Sequence, residues 1–263
     1  MPNKYLLDNA WSDGRARLDA VEEFLDPGTI ALMERRGIGV GWTCLELGAG
    51  GGSIAKWLSS RVGATGRVLA TDLDTRHLVD LVGLANVEIL RHDIVAEPLP
   101  EAEFDLVHAR LVLEHLRERD EVLRKLVRAL KPGGWLLLES VDYASAIAIS
   151  ERGAQEHTYS QAVRLRAFEA RGVDANYGRR LPRALREMGL ADIGNEGRVF
   201  VMEGGSPSAR WFELSMRQLR GWLVGEGGML DAEVDRMLEL FADPGWAAFS
   251  PIIVACWGRV KGG

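Results

Sequence analysis

Residues 45–53 read Leu45-Glu46-Leu47-Gly48-Ala49-Gly50-Gly51-Gly52-Ser53. A short apolar run enters four glycines in five residues, and the helix-compatible stretch 53–62 follows at once. That is the pattern of a buried strand turning tightly into a helix. Glycines without a Cβ let a ligand approach the backbone, and the helix start offers unpaired N–H groups. Two readings stand side by side here. Gly50, Gly52 and Ala55 satisfy the dinucleotide pattern G-x-G-x-x-G/A, with Asp72 about twenty residues further on. The plainer reading is a tight turn that binds nothing.

On either side of this turn, strands alternate with helices. Upstream, Asp26-Pro27 reads as the N-cap and first position of a short helix ending at Gly37. Strands are expected at 42–47, 67–70, 87–90, 104–107 and 135–138, with helices at 53–62, around 76–83 and at 119–130. Val122, Leu123, Leu126, Val127 and Leu130 recur at helical spacing, and Lys131-Pro132-Gly133-Gly134 stops that helix. Such alternation predicts a parallel sheet with right-handed crossovers. Beyond Val141 the pattern changes to polar helices over 143–190 with a break at Gly172. A strand near 199–202, a helical stretch over 208–241 and a last strand at 252–257 complete the chain.

The 263 residues are 47% hydrophobic and 27% charged, an ordinary globular composition that excludes long disorder and disulfide scaffolds. Lys and Arg total 32 against 38 Asp and Glu, a net charge of −6 with no basic block, so no nucleic-acid partner is expected. Cys44 and Cys256 lack C-x-x-C spacing, which argues against a metal site and fits a reducing compartment. No apolar run approaches the ~20 residues that span a bilayer. The first 13 residues lack the basic-then-apolar order of a signal peptide. A cytoplasmic protein without membrane contact is the expectation.

Taken together, five motifs resemble those of class I S-adenosylmethionine-dependent methyltransferases, in unbroken order over about 40–142. Glu46-x-Gly48-x-Gly50-x-Gly52 resembles the first motif. Asp72, in RVLATDLD, resembles the ribose-binding acid of the second. His92-Asp93-Ile94 resembles the adenine-binding acid and its neighbour. FDLVHARLVLEHL (104–116) and LKPGGWLLLES (130–140) resemble the fourth motif and the run into the fifth strand. The resemblance implies an α/β, Rossmann-like sheet of seven strands, the last antiparallel, with helical lid insertions. It also implies S-adenosylmethionine as cofactor and S-adenosylhomocysteine as product. The insertions and SARWFELSMRQL resemble stand-alone bacterial enzymes acting on secondary metabolites or quinone-like compounds.

The resemblance assigns cofactor contacts to Glu46, Leu47, Gly48, Ala49 and Gly50. It adds Asp72 with its apolar neighbour Leu73, Asp93 with Ile94, and the strand end His108-Ala109-Arg110. An Asp72 carboxylate can accept both ribose hydroxyls; a helix N-cap is its plainer role. Glu46 reads equally as a ligand of the cofactor's amino group and as a structural acceptor for backbone amides. Asp93 suits the adenine amine or a simple turn. The carbonyls of 108–110 suit the methionine ammonium, and Arg110 a carboxylate. Methyl transfer to a good neutral leaving group mainly needs alignment and exclusion of water. His157, in the first insertion, is the candidate base, against an exposed helix histidine; His115 reads as structural. Tyr5, Trp11, Tyr143 and Tyr177 are candidate acceptor-pocket residues, each also readable as packing. Trp211, Met216, Leu219, Trp222 and Leu223 read as helical core, or more sharply as an aromatic substrate pocket or a homodimer face.

The expected division is an N-terminal helical segment 1–39, a cofactor-binding core 40–142, a substrate-lid insertion 143–197 and a C-terminal part 198–263 with its own helical insertion 206–245. The expected function is methyl transfer to an oxygen, nitrogen or carbon of a small-molecule acceptor. Two alternatives share the sheet: an NAD(P)-dependent reductase, disfavoured by the lack of a Tyr-x-x-x-Lys pair, and a cofactor-binding protein that does not methylate.

Overall fold

Apolar strands too long to leave in water, and helices with one apolar face, assemble here around a single seven-stranded sheet. A computed structural model describes residue 7 and residues 9–262. Its sheet runs in the order β3-β2-β1-β4-β5-β10-β7, with β1 at Thr43–Leu47, β2 at Arg67–Asp72, β3 at Val87–Arg91, β4 at Phe104–Arg110, β5 at Leu130–Asp142, β7 at Ala191–Arg198 and β10 at Ile252–Arg259. The first five pair in parallel. The last strand, β10, is antiparallel to both of its neighbours, as the resemblance implied. Strands β1 and β4 are buried nearly throughout, which is why they read as continuous apolar runs rather than alternating ones.

Helix α2 (Ser53–Val62) lies where the sequence put it, between Gly52 at φ +92° and Gly63 at φ +66°. Helix α3 (Arg119–Ala129) buries Val122, Leu123, Leu126 and Ala129. Four expectations change. The N-terminal helix α1 spans Gly14–Arg35 and carries Pro27 inside it. Asp26 does not cap; it accepts from Arg110 at 2.7 Å. Residues 76–83 form two short 3-10 turns, Thr75–His77 and Val79–Leu81, because Asp74 caps Arg76 N and only Leu78 and Leu81 of the stretch are buried. Edge strand β7 was not legible, because ADIGNEGR is polar and glycine-bearing. Within it Gly194 lies so close to Trp257 that a Cβ would fall 2.4 Å from the indole.

The fourth change concerns the first insertion. Helix α5 (Tyr177–Glu187) packs on β5 and β10, so with β7 it belongs to the sheet layer rather than to a lid. Helices α4 (Ala154–Ala170), α6 (Pro207–Gly225) and α7 (Asp231–Ala242) pack with α1 over an aromatic core. A small sheet of β6 (Ile147–Ala148), β9 (Ala247–Phe249) and β8 (Val201–Glu203) ties the insertions together. Among the described residues no helix is long and apolar enough to cross a membrane.

Candidate cofactor site

A parallel sheet brings every βα loop to one edge, and the strand order reverses between β1 and β4, where open α/β sheets bind ligands. A cavity of about 230 Å3 opens there. Its floor is the glycine loop. Gly48 and Ala49 donate their N–H groups to Thr71 O at 2.8 and 2.9 Å, which folds the loop back over β2. Gly48 sits at φ +70°, and a Cβ there would meet Val112 Cγ2 at 2.4 Å, so only glycine fits.

Asp72 ends β2 at the cavity. Its Oδ2 accepts from Gly50 N at 2.9 Å and its Oδ1 from Asp74 N at 3.1 Å. Burial raises its pKa above the ordinary carboxylate value, partly opposed by those two amides. Each oxygen keeps room for a further donor. Leu73, 49% exposed, offers the apolar face beside it. Across the cavity Asp93 Oδ1 accepts from Val95 N at 2.9 Å, so the turn role is real, and Asp93 and Ile94 both face the cavity.

The fourth-strand residues behave differently. His108 is wholly buried and, like Ala109, does not line the cavity. It is the cross-strand partner of Glu46, and its Nδ1 donates to Glu46 Oε2 at 2.6 Å. Its Nε2 faces Glu139 Oε1 at 3.4 Å. Glu139 also accepts from Thr29 of α1 and pairs with Arg198. Burial pulls the His108 pKa down, but the charge of Glu46 and the bonds to both carboxylates prevail and hold it near 9. Burial likewise opposes ionisation of Glu139, and His108 and Arg198 overcome it, to about 2. Glu46 thus lines the cavity from inside a buried ion network. Arg110 also lines it, but its guanidinium is taken by Asp26 at 2.7 Å and Thr29 at 2.9 Å.

Helix α1 supplies what local sequence signals did not reveal. Arg17 is 4% exposed and faces the cavity. Its terminal nitrogen reaches Leu7 O and Asn9 Oδ1, its Nε is buried without a partner, and among the described residues no carboxylate pairs with it. Glu22 accepts from Ser53 N at the α2 start, where Gly52 provides no side-chain cap. The roof is Leu18 and Val21 of α1 with Trp211 of α6.

The other expected residues scatter. Tyr143 lines the cavity, and Trp11 packs on the lid core. Tyr177 is buried in the core beneath β5 and does not reach the cavity. His157 is 1% exposed, neither an exposed helix histidine nor a neighbour of the cavity; burial and then Arg164 lower its pKa to about 4. His115 does line the cavity, with its pKa lowered to about 3 by burial and by Arg17 and Arg119. Tyr5 lies outside the described residues. Among these, no group of acidic, histidine or cysteine side chains is arranged to hold a metal.

Known proteins agree with this geometry. Residues 45–138 match the model of a methyltransferase domain. The chain is 34% identical over 142 residues to methyltransferase str2 of Strobilurus tenacellus, covering 52% of this chain and 49% of that protein. It is 30% identical over 135 residues to the ubiquinone/menaquinone biosynthesis C-methyltransferase UbiE of Pseudomonas savastanoi, covering 47% and 53%. The chain thus spans about half the length of the curated relatives it matches. In fold it resembles phosphoethanolamine N-methyltransferase 2 of Haemonchus contortus, with TM-score 0.58 and 19% identity over 100% of this chain and 61% of that one. It also resembles the [4+2]-cyclase SpnF, with TM-score 0.52 and 20% identity over 90% and 81%. The sheet order and the glycine loop are those of a Rossmann-like class I fold, and within it residues 45–138 are similar to a methyltransferase domain.

Proposed function

We propose that this chain binds S-adenosylmethionine in the cavity at the β1–β4 switch point and transfers its methyl group to an oxygen, nitrogen or carbon of a small organic acceptor. The observation that carries the reading is the cavity's polar inventory, which suits the cofactor group by group. Asp72 is free to accept from two ribose hydroxyls, with Leu73 beside it. Asp93 and the Ile94 amide suit the adenine edge. Arg17, whose Nε is buried without a partner and which no carboxylate meets among the described residues, suits the methionine carboxylate, a role the sequence had given to Arg110. Glu46 suits the ammonium, oriented by His108 at 2.6 Å.

The cofactor's sulfonium supplies an activated methyl group with a neutral leaving group. The protein's part is to fix that group beneath Trp211 and Tyr143, exclude water with α1 and α6, and align the acceptor. The two sequence relatives named for methyl transfer support this reading. The cyclase of like fold keeps a second reading alive, that of a cofactor-binding protein that does not methylate.

Calorimetric titration with S-adenosylhomocysteine, with NADPH in parallel, tests the cofactor. Micromolar binding of the first alone is expected, weakened about tenfold or more by Asp72→Ala, as the loss of charge-assisted bonds dictates. Binding of NADPH alone would favour a reductase. A labelled-methyl screen against small phenols, amines and quinones then separates turnover from binding without it.

A further inference from the structure

One glycine of the loop, Gly51, has no part in the Glu46-x-Gly48-x-Gly50-x-Gly52 pattern, where it fills an open position. Its backbone does not ask for glycine either: Gly48, Gly50 and Gly52 take positive φ and Gly51 does not. What excludes a side chain there is Glu22 of α1. A Cβ on Gly51 would fall 2.4 Å from Glu22 Oε1 and 3.1 Å from Oε2. Both carboxylate oxygens therefore rest on the bare loop where α2 begins, and Oε1 accepts from Ser53 N at 3.4 Å. Arg15, two turns earlier on α1, grips the same loop by donating to Gly51 O at 3.2 Å and to His77 O at 3.0 Å.

Glu22 lines the cofactor cavity with its side chain 13% exposed. Burial raises its pKa, the Ser53 amide opposes that, Asp26 adds to it, and Arg15 and Arg110 work against it. Arg15 comes no nearer than 4.0 Å, so no close ion pair offsets the desolvation of this carboxylate. A glycine loop opening a helix is where dinucleotide folds seat a phosphate, on free amides at the positive end of the helix dipole. This loop satisfies G-x-G-x-x-A, and Asp72 suits the ribose of either ligand class. The two classes share adenosine and differ in the charge beyond it. S-adenosylmethionine carries a sulfonium and an ammonium there, and a dinucleotide carries a pyrophosphate. With Glu22 seated on the loop, the phosphate's place is filled from within, and Glu46 in the same cavity adds to the negative field.

We propose that Glu22 is the specificity-determining residue of this cavity: its carboxylate holds the place a nucleotide phosphate would take, so an adenosine ligand with a cationic tail is admitted and one with a phosphate tail is refused. The proposal rests on the cofactor reading. The deciding carboxylate comes from α1, outside the matched segment 45–138, and the loop's own sequence leaves the choice of ligand open.

The test is calorimetric titration of the full chain at pH 8 with S-adenosylhomocysteine and with adenosine, AMP and ADP, the weaker ligands read by displacement of the stronger. The last three share base and ribose and differ only in phosphate. In the wild type, affinity should fall with each added phosphate, ADP binding at least tenfold weaker than adenosine. Glu22→Gln keeps the shape and the acceptor for Ser53 N, and it should raise the ratio of ADP to adenosine affinity tenfold or more. Glu22→Asp, still charged, should keep most of the wild-type discrimination. ADP binding the wild type as well as adenosine does, or a ratio unmoved in Glu22→Gln, overturns the proposal. Parallel weakening of all four ligands with a lower melting temperature would make Glu22 a cap of α2 and overturns it too. Should Glu22→Gln not fold, Glu22→Ala is read on the same series with the same outcomes. If neither adenosine nor S-adenosylhomocysteine binds the wild type, the cofactor reading falls and this proposal with it; if both bind and the ratio fails, this proposal alone falls.

Discussion

Arg17 and Glu114 show how single buried charges separate binding from folding. Among the described residues no carboxylate pairs with Arg17, and its side-chain bonds run to Leu7 O and Asn9 Oδ1, so Arg17→Gln removes no ion pair seen there. Its value lies in the ligand carboxylate, and charged hydrogen bonds contribute roughly 1.5–3 kcal/mol. The expected result is about 10–100-fold weaker S-adenosylhomocysteine binding by calorimetry with a melting temperature at or above wild type. A large loss of stability with binding intact would assign Arg17 to structure instead. Glu114, 1% exposed with Oε2 unpartnered, is the opposite case: burial raises its pKa to about 7. A raised carboxyl adds stability that is complete below its unfolded pKa near 4.5 and is lost as pH rises through 7. Glu114→Gln, a neutral isostere, should therefore gain roughly 2–3 kcal/mol on the wild type between pH 5 and pH 8. Urea titrations at the two pH values read that difference, and a gain independent of pH would refute it.

At the scale of elements, helix α1 is held across Pro27 by tertiary bonds that local sequence does not announce. The proline leaves Glu23 O without its helical donor, a defect that costs about 3 kcal/mol in an isolated helix. Asp26 and Thr29, one turn apart on the same face, reach Arg110 and Glu139 and carry the helix through. The same distance in sequence hid Arg17, Leu18 and Glu22 from the site: only packing of α1 on α6 brings them over the glycine loop. By contrast β1, the loop and α2 were legible because their signals are local, an apolar run, positive-φ glycines and a helical stripe. Strand β7 was not, since an edge strand held by main-chain bonds needs no apolar alternation. His108 was legible as a position and not as a partner, because its bond to Glu46 depends on the β1–β4 register. Removing it leaves the buried Glu46 without its counter-charge, and breaking such a pair costs about 3–5 kcal/mol. His108→Asn should lose that much stability at pH 6. The loss should shrink at higher pH, because a histidine raised to about 9 contributes fully below its unfolded value near 6.5 and loses that contribution as pH rises through 9. Denaturant titrations at pH 6 and pH 9 check it; an equal loss at both would mean the histidine is held neutral.

On the scale of the whole molecule, three distant parts of the chain close over one cavity: α1, the glycine loop and α6. Only the loop belongs to the matched domain at 45–138. A ligand that touches all three must couple them, since binding to the folded form alone stabilises it by mass action. S-adenosylhomocysteine at a hundred times its dissociation constant should contribute about 2.7 kcal/mol, which for a chain of this size raises the melting temperature by roughly 5–11 °C. Hydrogen exchange locates that gain. Amides of α1 from Arg15 to Leu25 should slow together with those of residues 48–53, because Glu22 and Ser53 already join the two and Arg15 bonds Gly51 O. Amides of α6 near Trp211 should slow less, since in the proposed binding mode they meet the cofactor only at its methyl end. They should slow further when a bound acceptor fills the space beneath Trp211 and Tyr143. Protection confined to 48–53, with α1 unchanged, would show that α1 packs over the site without contributing to it, and the roof would then have to be assigned to α6 alone.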